Sequence, residues 1–348
     1  MRKPVIPLLP RGGRVPVPSL AVDLGTANSL VSARGRGIVV DTPSVLALDA
    51  TTGSVLAVGE AARAMLVSTP PGVMVAQPLR DGVIHDLPQA AAMLRSLLER
   101  ARSRRIQLRP RLALCVPSGA TEVERSALRA AALSAGAKEP VLLIDEPLAA
   151  AFGLSADPEP TVGAQLVVDI GGGTTEVAVV SAGTLVVSES MRIAGNEMDD
   201  AIARWVRTEH HLTIGLLTAE SLKCRLADAA LRGERLRATG LDLASGAPRS
   251  VALAPAEVLE VVAPTVRAIV DAVADVLERT PPDLLDQVLA SGVALTGGGS
   301  LLPGLTEHVV QRLDVSAWRA PDPLTSVVRG AQRLIDHPVM VRELARTA

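Results

Sequence analysis

Two short segments combine the residue types that handle phosphate and a hard cation. Asp23-Leu24-Gly25-Thr26-Ala27-Asn28 and Asp169-Ile170-Gly171-Gly172-Gly173-Thr174 each place a carboxylate before a glycine turn, and their aspartates lie 146 positions apart. Glycine permits positive φ, and without a Cβ it lets backbone N–H groups approach phosphate oxygens closely. A third turn, Thr296-Gly297-Gly298-Gly299-Ser300, has the same character. A lone glycine-rich turn is usually a tight hairpin, but three of them, two with Asp at matching positions, argue for a phosphate cradle. Asp23 and Asp169 would repel phosphate unless a cation lay between them. Mg²⁺ fits, because it keeps several waters and contacts few protein groups directly. Glu146 follows an apolar run, Val141-Leu142-Leu143-Ile144, and precedes Pro147. It suits an acceptor that positions the water attacking a terminal phosphate, and equally a helix-start carboxylate favoured by the helix dipole.

These residues must be held by strands and helices. Leu20–Leu24 and Leu166–Ile170 read as apolar strands, and each is followed after its turn by a second one, Leu30–Ala33 and Val177–Val180. Paired strand-turn-strand units at half-chain spacing predict two repeated α/β domains that bring two Asp-Gly turns to one cleft. Thr121-Glu122-Val123-Glu124 has the form of a capping box and opens an Ala-rich helix that Gly136 can close. Pro303 is expected to start a helix carrying Leu305, Val309 and Leu313 on one face. A further helix is expected over Ala90–Leu98.

Composition limits the function classes. The 348 residues suit two domains, and a net charge of −2 supplies no global field for nucleic acid, so no nucleic-acid partner is expected. With Phe152, Trp205 and Trp318 as the whole aromatic set, the case for base-stacking platforms is weak and the core must be built from Ala, Val, Leu and Ile. Cys115 and Cys224 have neither metal-site nor disulfide spacing, which suits a reducing compartment. The apolar 251–277 stretch carries Glu257, Glu260, Arg267, Asp271 and Asp275, too many charges for a membrane span. Residues 1–18 read as a flexible, basic, Pro-rich arm. Arg100, Arg102, Arg104, Arg105, Arg109 and Arg111 surround Ile106 and Leu108, a basic loop with apolar tips that could press into an anionic surface.

From Ser19 on, the chain resembles the actin, sugar-kinase and heat-shock ATPase superfamily, and within it the MreB family of bacterial actins. The two Asp-Gly segments, the second continuing through Thr175-Glu176-Val177, match that family's phosphate loops, and Leu295-Thr296-Gly297-Gly298-Gly299-Ser300-Leu301-Leu302 matches the segment holding the nucleoside. Arg80-Asp81-Gly82-Val83-Ile84, Val116-Pro117-Ser118-Gly119 and Arg192-Ile193-Ala194-Gly195-Asn196-Glu197-Met198-Asp199 are also family-typical.

The resemblance implies an actin-like ATPase fold, with two related domains around a nucleotide cleft and a small outer subdomain on each. Domain I would comprise 19–154 plus 323–348, with its outer part at about 39–80. Domain II would be 155–322, with its outer part at about 191–249. It further implies ATP and Mg²⁺ as ligands, Glu146 as the catalytic acid with Asp145 replacing the family's preceding Glu, and Glu220 and Lys223 beside the adenine. Partners would be further copies of the chain in paired head-to-tail protofilaments, the inner membrane surface, met through the Ile106 and Leu108 loop, and cell-wall synthesis proteins. The location would be cytoplasmic, at the inner membrane face. Asn196, where the family has Asp, and Cys224-Arg225-Leu226 depart from the pattern and bear on nucleotide affinity and the second outer lobe. Other readings are a monomeric phosphotransferase of the same superfamily, or a non-hydrolysing interaction protein.

Overall fold

The computed structural model describes residues 17–102, 109–154, 163–337, 339–341 and 344. Most of the basic arm lies outside this range, as do Ile106 and Leu108 at the tip of the basic loop.

The short repeat seen in sequence extends to a repeat of whole sheets. One sheet runs, edge to edge, Gly37–Pro43, Asn28–Ala33, Leu20–Leu24, Leu112–Val116, Leu142–Asp145. The other runs Thr184–Met191, Thr175–Ser181, Gln165–Ile170, Val293–Thr296, Ala317–Arg319. In both, the first three strands are antiparallel neighbours and the remaining pairings are parallel. The two Asp-bearing strands are therefore central and covered on both faces, which explains their near-continuous apolar sequences. Each carries its aspartate toward its carboxyl end, where α/β folds place functional groups.

The described residues form one small cluster of Val45, Ala47 and Ala62 and three large, mainly aliphatic cores. One fills the second sheet's outer side around Val168, Ile202 and Val273. Another fills the first sheet's outer side around Val22, Leu94 and Leu114. The third lies between the sheets, where Ala21, Ile144 and Val167 meet the helices Glu146–Leu154 and Ser326–Asp336. These helices cross at glycine. A Cβ on Gly330 would sit 1.6 Å from the Ala149 carbonyl oxygen, and one on Gly153 would sit 2.0 Å from that of Ser326. A crossing this close requires the small side chains that its sequence supplies.

Smaller sheets stand beyond the main ones. Leu46–Asp49 pairs with Val55–Val58 and Val73–Ala76 beside the helix Glu60–Val67, while Leu236–Asp242 pairs with Leu212–Thr213 and Pro248–Leu253 beside the helix Leu216–Cys224.

The capping box forms: Thr121 Oγ1 accepts from the Glu124 N–H, Glu124 accepts from the Thr121 N–H, and the helix Glu122–Ser134 follows. The expected helix over Ala90–Leu98 is longer, Leu87–Ala101, because Asp86 caps it. Pro303 does not start a helix. The glycines wind into a 3₁₀ turn, Gly298–Leu301, and the α-helix begins at Leu305 after Gly304, whose φ of 79° glycine tolerates. The 251–277 stretch lies largely within the helix Pro255–Arg279, and among the described residues no helix is long and apolar enough to cross a membrane.

Candidate nucleotide site

The two Asp-Gly turns are built alike. Gly25 N–H donates to the Asn28 carbonyl at 3.1 Å, and Gly171 N–H donates to the Thr174 carbonyl at 2.9 Å. The turns abut, since a Cβ on Gly172 would come 2.8 Å from that of Ala27. The third turn joins them at Gly297, whose φ of 76° and a would-be Cβ 2.3 Å from the Ile170 carbonyl oxygen leave room for no other residue. Its N–H donates to the Pro323 carbonyl at 3.0 Å, drawing Pro323 and Leu324 to the site.

Together they line a cleft of about 520 Å³, inside the roughly 300–1,000 Å³ usual for small-molecule sites. Asp23, Gly25, Thr26, Ala27, Asn28, Glu146, Asp169, Gly171, Gly172, Gly173, Thr174, Glu220, Lys223, Gly297, Gly298 and Gly299 all line it. Ser300 does not: it is buried, and its hydroxyl donates to the Gly297 carbonyl at 2.7 Å, holding the third turn rather than facing a ligand.

Of the further lining residues, Leu324 and Arg63 are not singled out by sequence reading. Met198, Cys224, Leu301, Leu302 and Leu324 supply apolar wall, and Arg63 reaches in from the helix Glu60–Val67. Arg63 pairs with Glu220 at 2.5 Å, tying the two small lobes together at the cleft. Nothing in the local sequence signals a partner 157 positions away. Lys223 Nζ lies 2.8 Å from both Asp199 Oδ2 and the Gly195 carbonyl, so its charge is already shared within its own domain.

The electrostatics of the cleft are dominated by carboxylates. Asp23, Glu146 and Asp169 have neither a hydrogen-bond donor nor an ion-pair partner among the described residues. Burial, then the charges of Asp23 and Glu176, raises Asp169 to about 8, and burial raises Asp23 to about 7. Glu146 is pushed well above the usual carboxylate range by burial and next by Glu176. It opens the helix Glu146–Leu154 and also lines the cleft, so the structure is compatible with both roles drawn for it.

Unpaired hard-oxygen donors at the base of a glycine cradle fit a divalent cation. Among the described residues no three His, Cys, Asp or Glu side chains are grouped as a direct ligand set. Asp23 and Asp169 are the residues that would hold Mg²⁺, which would offset the repulsion between these carboxylates and a bound phosphate.

A stability test follows. Asp169 has its folded pKa raised above the unfolded value of 3.8, so its contribution to stability is present below about pH 4 and is lost as pH rises toward 8. Asp169→Asn is expected to raise the melting temperature of the nucleotide-free protein at pH 8, with a smaller change at pH 5, while abolishing Mg²⁺-dependent stabilisation by nucleotide. A lower melting temperature at pH 8 would contradict this account.

Two repeated domains around a glycine-lined, carboxylate-bearing cleft define the actin-like ATPase fold. The particular family follows from comparison: the family model described as MreB/Mbl protein matches residues 17–343, and the chain belongs to that family. It is 40% identical over 322 residues to the cell shape-determining protein Mbl of Bacillus subtilis (strain 168), covering 91% of this chain and 96% of that one. It is 41% identical over 325 residues to the cell shape-determining protein MreB of Escherichia coli (strain K12), covering 91% and 93% respectively. The crystal structure of MreB 5 of Spiroplasma citri bound to AMPPNP superposes with a TM-score of 0.85 at 32% identity, covering 96% of this chain and all of that one.

Proposed function

We propose that this chain is an ATP-binding and ATP-hydrolysing bacterial actin that polymerises into filaments at the inner membrane face and organises wall synthesis and cell shape. The observation that carries the reading is the convergence on one cleft of three glycine turns and three carboxylates that have no partner among the described residues. The AMPPNP bound by the Spiroplasma relative supports an adenine nucleotide as the ligand. In this reading the backbone N–H groups of Gly25–Ala27 and Gly171–Thr174 hold phosphate oxygens, and Asp23 and Asp169 would hold Mg²⁺, which when bound would supply charge neutralisation for the phosphates. Glu146 accepts a hydrogen bond from the attacking water and aligns it. The outer lobes, joined by Arg63 and Glu220, close over the nucleoside.

Self-assembly is tested by pelleting purified protein at rising concentration with ATP-Mg²⁺, ADP-Mg²⁺ or no nucleotide, with electron microscopy of each pellet. Filaments favoured by ATP are the expected result. A monomer that binds ATP and never assembles would point instead to a phosphotransferase or an interaction-only member of the family.

Membrane association rests on the basic loop. Arg100, Arg102 and Arg109, which flank its undescribed tip, are exposed. Ile106→Glu combined with Leu108→Glu is expected to abolish flotation with anionic liposomes, and unchanged flotation would remove the loop from the proposal.

A further inference from the structure

Glu176 is a buried acid for which the proposed reaction has no use. It sits on Thr175–Ser181, directly after the second phosphate turn, and is wholly buried. A buried carboxylate without partners would be costly, and this one is fully engaged. Oε2 accepts from the Ser118 N–H at 3.0 Å and the Ser118 hydroxyl at 2.6 Å, while Oε1 accepts from the Ser190 hydroxyl at 2.5 Å. Ser190 belongs to the same sheet as Glu176. Ser118 does not: it lies in the turn after Leu112–Val116, in the first sheet's domain. Two of the three hydrogen bonds therefore cross between the domains, and they use the backbone as well as the side chain of the Ser118 turn.

That turn is linked onward to the catalytic strand end. Arg125, one turn into the helix Glu122–Ser134, donates from Nε to the Ala120 carbonyl at 3.3 Å and from its other end to Asp145 Oδ1 at 2.5 Å. Asp145 is the residue before Glu146. On the opposite side, Glu124 of the same helix pairs with Arg192 of the second domain at 3.2 Å. A continuous chain of hydrogen bonds and covalent neighbours thus runs from the second phosphate turn through Glu176, Ser118, Ala120, Arg125 and Asp145 to Glu146.

We infer that Ser118, Glu176 and Arg125 are positioning residues: the Ser118–Glu176 contact forms when the two domains close, and Arg125 passes that closure to Glu146 through Asp145. The inference rests on the ATPase reading above and deepens it, by naming the device that makes hydrolysis conditional on closure. A buried charged acceptor suits the role, because its hydrogen bonds are strong when made and expensive when left open.

The test uses the full chain and two readouts. One is single-turnover hydrolysis of ATP-Mg²⁺. The other is alkylation of Cys224, an exposed thiol lining the cleft, in protein loaded with a non-hydrolysable ATP analogue; Cys115 is buried and serves as the internal reference. Ser118→Ala is expected to slow single-turnover hydrolysis about tenfold, the value of one charge-assisted hydrogen bond expressed in the transition state, with nucleotide affinity within about threefold of wild type. It should also quicken Cys224 alkylation. Ser118→Thr should restore both.

Ser190→Ala removes a bond to the same carboxylate from within one domain and should leave alkylation unchanged. Combining Ser118→Ala with Glu176→Gln should be no slower than Glu176→Gln alone, since both act through one contact. Hydrolysis and alkylation at wild-type values in Ser118→Ala would overturn the inference, as would equal effects from Ser190→Ala. If the wild type binds ATP without turnover, the ATPase reading falls, and the alkylation comparison alone then decides whether the domain clamp exists.

Discussion

Glu146→Gln is expected to reduce phosphate release under ATP-Mg²⁺ at least about 100-fold, the usual contribution of a positioned general base, while ATP affinity changes little. The substitution keeps size and shape and removes only the charge. Because no donor or ion-pair partner among the described residues holds the carboxylate, the change breaks no bond described in the structure. Burial and the charges of Glu176, Asp23, Asp169 and Asp145 all oppose ionisation there, so the amide should also melt at a higher temperature than wild type. Lower activity with higher stability is the signature of a functional group held at the fold's expense. If turnover were unchanged, Glu146 would be only the opening residue of its helix.

Gly330→Ala is expected to destabilise the protein by about 3 kcal/mol or more, at the upper end of overpacking costs. The added methyl would stand 1.6 Å from the Ala149 carbonyl oxygen and close to the Gly153 N–H, both backbone atoms that no rotamer change can clear. The helices Glu146–Leu154 and Ser326–Asp336 would have to separate. In an ordinary helix interior the same change would gain up to about 1 kcal/mol by restricting the unfolded chain, so the sign of the effect discriminates. Thermal or urea unfolding of Gly330→Ala at or above the wild-type midpoint would refute the close crossing. Since Glu146 rides on the displaced helix, the surviving protein should also turn over slowly.

The cleft was largely legible because its parts are local. Asp23-Leu24-Gly25 and Asp169-Ile170-Gly171 announce themselves by composition and spacing, and the matching strands around them implied a repeated fold. Contacts between distant segments left no such trace. Glu176 reads as one polar position in an apolar strand, and only the tertiary structure sets it against Ser118. Arg63 is an unremarkable helix residue, and its pairing with Glu220 is invisible, until the lobes face each other. Ser300 illustrates the opposite error: it lies in the right turn, but its hydroxyl is spent on the turn's own carbonyl. Likewise Pro303 looked like a helix start because the pattern marks a boundary without saying which of several neighbouring residues opens the helix.

The crossing at Gly330 also imposes an order of events on the ribosome. The strands of the first sheet are complete once Asp145 has been made, but the helix Ser326–Asp336 that shields one of its faces is translated only after every strand of the second sheet. Domains fold as units during synthesis, so the nascent first half must wait with an apolar face uncovered while the second half forms. Nucleotide can help it only late, when Pro323, Leu324 and Val327, translated just ahead of and at the start of that helix, have closed the cleft's last wall.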